Sequence, residues 1–187
     1  MRVIAGTAKG RTLRTLPSDD TRPTSDRAKE SLFNILMPYL HGAGFLDLFA
    51  GSGAIGIEAL SRGASHAVFV EQSAQAVSII KENLTLTRLS GSAEVRQSTV
   101  MDFLLNCNQP FPLIFMDPPY HSELVPESVR IIAQNKLLQA GGLLIAEGDR
   151  TEEFPEFLFG FSLVDKRKYG RNVLNFYREI EKKQKNI

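Results

Sequence analysis

A chain of 187 residues, 43% hydrophobic and 23% charged, can hold one domain with an apolar core and is too mixed for a disordered or fibrous protein. No run of 18 apolar residues is present to span a membrane, the start Met1-Arg2-Val3-Ile4-Ala5-Gly6 turns polar too early for a signal peptide, and one cysteine, Cys107, allows neither an internal disulfide nor a multi-cysteine metal site. The net charge of +1 hides a pattern: residues 1–30 carry +3, residues 31–165 carry −8 and residues 166–187 carry +6, so an acidic body has basic ends.

In chain order, residues 2–16 read as two short strands around Gly6 and Gly10. Arg2, Lys9, Arg11 and Arg14 interleave with Val3, Ile4, Leu13 and Leu16, with no acid in the first 18 residues, which predicts a structured basic hairpin. A turn-rich loop, 17–23, leads to a helix capped by Thr24 or Ser25, with Ala28, Leu32, Ile35, Leu36 and Tyr39 on one face. A regular alternation follows. Strands are expected at 45–49, 67–71, 94–97, 113–116 and 142–147. Helices are expected at 54–62, 73–88, 101–105 and 125–135. Two antiparallel strands, 161–168 and 172–178, close the chain. Alternating strands and helices imply a mostly parallel sheet covered on both faces.

Three motifs bear chemistry. In Leu46-Asp47-Leu48-Phe49-Ala50-Gly51-Ser52-Gly53 a strand runs into a glycine turn and a helix, and Gly51, Gly53 and Gly56 match G-x-G-x-x-G. That spacing suits either a pyrophosphate or the amino-acid part of S-adenosylmethionine. Glu71 ends the next strand, twenty residues after Gly51, where an acid accepts from ribose hydroxyls in either cofactor class. The third motif separates the two classes. Asp117-Pro118-Pro119-Tyr120 follows a buried strand; its prolines hold the chain extended and remove two backbone donors. A carboxylate, a row of carbonyls and an aromatic ring remain, which is an acceptor set for an amino group with a surface on which a base stacks.

These residues resemble the RsmD family of 16S rRNA (guanine-N2)-methyltransferases, within the class I methyltransferases that carry a [DNS]-P-P-[YF] motif. The resemblance covers nearly the whole chain. It runs through Arg2-Val3-Ile4-Ala5-Gly6, Lys9-Gly10-Arg11, Arg22-Pro23-Thr24-Ser25-Asp26-Arg27-Ala28-Lys29-Glu30-Ser31-Leu32-Phe33-Asn34, Glu58-Ala59-Leu60-Ser61-Arg62-Gly63-Ala64 and Lys168-Tyr169-Gly170, together with the glycine turn and Asp117-Pro118-Pro119-Tyr120. It implies a Rossmann-like α/β fold: a mostly parallel seven-stranded sheet with helices on both faces, plus the N-terminal hairpin and helix. It also implies S-adenosylmethionine as methyl donor and a small-subunit rRNA guanine as acceptor.

On this reading residues 1–187 form one domain, with 1–23 a basic extension facing RNA and 24–187 the catalytic core. Asp117 and the Pro118 carbonyl accept the two amine hydrogens, Pro119 shapes the loop and Tyr120 stacks on the base. Asp47, Gly51 and Gly53 surround the methionine part, Thr24 and Ser25 meet its carboxylate, Glu71 holds the ribose, and Asp102 either meets the adenine or caps a helix. Arg2, Lys9, Arg11, Arg14 and Arg22 contact RNA phosphates, with Arg27 and Lys29 adding to them. A cytoplasmic, metal-free monomer is expected. The rival readings are a DNA adenine-N6 methyltransferase, a nicotinamide-dependent dehydrogenase and an inactive RNA-binding or assembly protein.

Overall fold

Apolar segments that alternate with amphipathic ones fold here as adjacent parallel strands joined by helical crossovers. The computed structural model describes residues 1–16 and 26–180. In chain order come α1 (Asp26–Leu40), β1 (Gly44–Leu48), α2 (Ala54–Ser61), β2 (His66–Glu71), α3 (Ala74–Thr87), β3 (Ala93–Gln97) and α4 (Val100–Asn106). They are followed by β4 (Phe111–Met116), α5 (Leu124–Gln134), β5 (Leu138–Asp149), β6 (Phe157–Leu158), β7 (Phe161–Tyr169) and β8 (Asn172–Glu179). The sheet order is β3-β2-β1-β4-β5-β8-β7-β6. β3, β2, β1, β4 and β5 are parallel; β8 and β7 close the sheet antiparallel. The seven strands expected for the main sheet are present, and the two-residue β6 adds an eighth at the edge.

Strand alternation divides the core in two. Phe45, Phe69, Leu113, Phe115, Ile145, Leu174 and Phe176 pack against residues of α1, α2 and α3. Leu46, Leu48, Val68, Ile114, Met116, Leu144 and Tyr177 pack against residues of α4 and α5. Burial on both faces explains why these strands read as nearly continuous apolar runs. No helix among the described residues is long and apolar enough to cross a membrane.

The N-terminal segment departs from the expected pair of strands. Its ladder is reduced to the bridge Arg2–Thr12, with further backbone bonds from Val3 to Arg11, Gly10 to Val3 and Leu13 to Met1. The next two amides, of Ile4 and Ala5, donate instead to the buried carboxylate of Glu58 on α2, at 2.8 and 3.0 Å. The same carboxylate pairs with Arg62 Nε (2.7 Å) and Lys29 Nζ (3.7 Å). A Cβ on Gly6 would lie 1.7 Å from the Ser61 carbonyl oxygen, so only glycine lets the segment lie this close to α2. With Val3, Ala8 and Leu13 buried, residues 1–16 belong to the core on the α1–α3 side.

Candidate active site

Every chemical motif ends at one edge of the sheet, the carboxyl ends of the parallel strands. β1 leads away to β2 on one side and has β4 on the other, so this edge contains the switch point at which open α/β sheets bind ligands. Two surface depressions lie elsewhere: one between α5 and Phe159–Phe161, the other between Arg14 and α3.

The glycine turn leaves β1 through Phe49, whose φ of 62° is left-handed. Such a non-glycine residue costs of the order of 1–2 kcal/mol. The three motif glycines have different reasons to be glycine. At Gly51 (φ 55°) an added Cβ would meet nothing within 4 Å, so the backbone there faces open space that a ligand can enter. At Gly53 (φ 76°) a Cβ would press on Ile80 at 3.2 Å, and at Gly56 it would overlap the Phe69 ring at 2.3 Å. Gly53 and Gly56 therefore allow helix to pack on sheet. Asp47 lies beneath the turn, 2% exposed, and accepts the Gly56 N–H at 2.9 Å. Burial pushes its carboxyl up to about 7, opposed by that hydrogen bond and assisted by the charge of Glu71. Asp47 is thus a buried prop for the turn rather than part of an exposed ligand wall.

Glu71 stands at the end of β2, as the spacing predicts. One of its oxygens accepts the Gly51 N–H (2.9 Å) and the other the Ser73 N–H (2.8 Å). Each oxygen keeps a further lone pair, so the carboxylate can brace the turn and accept from a hydroxyl as well. Asp102 takes the capping alternative: Thr99 Oγ1 accepts its N–H at 3.1 Å and donates to its carboxylate at 2.7 Å, at the start of α4. Arg22, Thr24 and Ser25 lie outside the described residues.

On the other side of β1, Asp117 follows β4. Pro118 is buried, while Pro119 and Tyr120 are exposed, the latter by 44%. The Pro119 carbonyl accepts Ser122 Oγ at 2.7 Å. The Pro118 carbonyl has no hydrogen-bond partner among the described residues. Although part of Asp117 is open to solvent, its carboxyl is closely surrounded. Burial first, then the charges of Glu147, Asp47 and Glu152, hold it well above the usual carboxylate range. Burial and the same acidic neighbourhood push the Tyr120 hydroxyl up to about 12, so it stays neutral.

Two acids of this cluster were not legible in the sequence. Glu147 is buried near the end of β5 and accepts from Asn172 Nδ2; its one signal is an acid closing an apolar strand, as at Glu71. Glu152 accepts the His121 and Asp149 N–H groups, one with each oxygen, and so ties the loop after Tyr120 to the end of β5. Nothing in its sequence context foretells that link.

The cations expected on RNA are spread out. Arg2 is exposed and pairs with Asp26 at 3.0 Å; Arg14 is exposed and pairs with Glu82 at 2.6 Å. Lys9 and Arg11 are exposed near the hairpin tip, where Thr7 N–H meets the Ser61 carbonyl. That is the far end of α2 from the glycine turn. Lys29 corrects the expectation for that residue. It is fully buried, its charge is committed to Glu58, and burial lowers its pKa, so it cannot touch a phosphate.

The model of a family described as conserved hypothetical protein 95 matches residues 1–178. Ribosomal RNA small subunit methyltransferase D of Haemophilus influenzae is 43% identical over 153 residues, covering 80% of this chain and 79% of that one. Its namesake in Escherichia coli K12 is 35% identical over 178 residues, covering 95% and 89%. The solved structure of yhhF from Escherichia coli has a TM-score of 0.85 at 35% identity, covering 96% of this chain and 97% of that one. A hypothetical protein of Thermus thermophilus has a TM-score of 0.79 at 32% identity, covering 94% and 98%.

Proposed function

Since the chain belongs to the RsmD family, the one described as conserved hypothetical protein 95, we propose that it transfers a methyl group from S-adenosylmethionine to the exocyclic N2 amine of a guanine in small-subunit ribosomal RNA. The observation that carries this reading is the placement of Asp117-Pro118-Pro119-Tyr120 on β4, next to the glycine turn on β1. An amine acceptor set and an open glycine backbone are thereby adjacent.

The residues fit the cofactor. Gly51 leaves room above its Cα, and Glu71 offers free lone pairs beside it for the ribose hydroxyls. Asp47 acts from below by fixing the turn through Gly56. When bound, S-adenosylmethionine supplies a methyl group activated by a sulfonium. The protein supplies position and charge. Asp117 accepts one amine hydrogen and the Pro118 carbonyl the other, which turns the nitrogen lone pair towards the methyl. Asp117 then stabilises the positive charge developing on nitrogen until one N–H proton is lost to solvent, with S-adenosylhomocysteine as the leaving product. Burial, and after it the acidic neighbours, disfavour its ionisation in the free protein, and a cationic partner relieves that penalty. Tyr120, neutral and half exposed, offers its ring to an unpaired or flipped base. Arg2, Lys9, Arg11 and Arg14 provide phosphate contacts for a large RNA, and Arg22, outside the described residues, adds to them.

The test is methyl transfer from labelled S-adenosylmethionine to small-subunit rRNA and to DNA, with the product nucleoside identified by mass. N2-methylguanosine in rRNA is expected. N6-methyladenine in DNA would replace this reading with the DNA one, and cofactor binding without any transfer would replace it with the inactive binding protein.

A further inference from the structure

The acidic site must accept a base from a polyanion that its own charge repels. Glu147, Asp47 and Glu152 crowd around Asp117 there, so phosphates need a cationic grip beside the site. Of the N-terminal cations, Lys9 and Arg11 lie at the far end of α2, and the nearer Arg2 and Arg14 are already paired with Asp26 and Glu82.

The sheet register places another basic element much closer. Met116 at the end of β4 is level with Ala146 of β5; Ala146 is level with Asn175 of β8, and Asn175 with Lys166 of β7. Past that level β4 stops, while β5, β8 and β7 run on through three residues each, β8 and β7 to the pair Tyr169–Asn172 and the turn Gly170–Arg171. At ~3.3 Å per residue the hairpin stands about 10 Å above the end of β4, two strand spacings or ~10 Å to its side. It forms a wall on one flank of the site. Asn172, next to the turn, donates to Glu147, and the Tyr169 hydroxyl meets the Ser31 hydroxyl of α1. The wall is thus joined both to the acidic cluster and to α1.

Lys166, Arg167, Lys168 and Arg171 on this wall are all exposed. Arg167 pairs with Asp165 at 3.0 Å, and Arg171 approaches Asp149 at 3.7 Å. Lys166 and Lys168 have no ion pair among the described residues. β6 pairs only with Phe161 and Ser162, so β7 beyond them is an open sheet edge. We propose that the turn end of the β7–β8 hairpin is the grip for the RNA backbone, with Lys166 and Lys168 on one face of β7 and Arg171 at the turn on phosphates while the base enters the acidic site alongside. This rests on the rRNA reading above and adds the surface that holds the substrate.

The bland alternative is that lysines on an open edge guard against strand pairing between molecules. The test compares Lys166→Ala with Lys168→Ala, as one double variant, with wild type and with the Arg11→Ala, Arg14→Ala double variant. The readouts are binding of transcribed small-subunit rRNA at several salt concentrations, and methyl transfer. Each lost phosphate contact flattens the slope of log K against log salt by about 0.7–0.9. The lysine pair is expected to flatten it by about 1–2, raise KM for RNA, and leave cofactor affinity and kcat at saturating RNA unchanged. A Lys→Arg pair should restore the slope. An unchanged slope, whether or not the variant aggregates, overturns the proposal, as does a slope change seen only in the Arg11, Arg14 variant. Wild-type protein that methylates no RNA overturns the functional reading instead.

Discussion

The two halves of the site treat their carboxylates differently. On the glycine-turn side Asp47 and Glu71 are held by backbone: Asp47 accepts from Gly56, and Glu71 from Gly51 and Ser73. Burial raises Asp47 as well, but there the Gly56 N–H opposes it. On the Asp117 side burial first, then the charges of Glu147, Asp47 and Glu152, disfavours ionisation of the carboxyl. An acid satisfied by backbone amides fixes a shape. An acid buried and crowded by its own kind favours a cation or an N–H donor.

That contrast is open to direct attack. The largest effect is expected from Asp117→Ala, which should cost ~10²-fold or more in kcat, the scale of lost electrostatic and orienting groups, with cofactor affinity by calorimetry nearly intact. A variant keeping a tenth of wild-type kcat would dissolve the distinction between the halves. Glu71→Ala should show the converse, weakening cofactor binding by about 1.5–3 kcal/mol while sparing kcat at saturation. Unchanged affinity would move the ribose contact to another residue.

Asp47 gives the most specific effect, one without consequence for chemistry at saturation and read only in the pH dependence of stability. Its native pKa of about 7 lies above the ordinary value near 3.8, so the folded state keeps this proton longer than the unfolded chain. Its stabilising contribution is present below about pH 4 and is lost as pH rises to 7. Asp47→Asn keeps an acceptor for Gly56 and removes the titration. Urea unfolding across pH 4–8 should then lose up to one proton's worth of slope, ~1.4 kcal/mol per pH unit at most. An identical pH profile in the variant would show that Asp47 is ionised at no cost.

Most of the fold was legible because its signals are local. The parallel strands announce themselves as apolar runs between helical periods, and α3 starts where Ser73 caps it. The N-terminal hairpin was only half legible. Its alternation predicts a ladder, yet Glu58, more than fifty residues on, takes the Ile4 and Ala5 amides. Asp102 was ambiguous for the opposite reason: Thr99, three residues before it, sufficed to claim it.

By itself the sequence determined the motif types and their order: a glycine turn, an acid twenty residues on, and Asp-Pro-Pro-Tyr after a buried strand. Each is set by chemistry within a few residues. Only the tertiary structure decided which charges meet. It buried Lys29 against Glu58, gathered Glu147 and Glu152 around Asp117, and raised the β7–β8 hairpin beside them. Those pairings depend on strand order and register, which bring together residues distant in the chain, and Coulomb interactions follow separation in space and local dielectric rather than separation along the sequence.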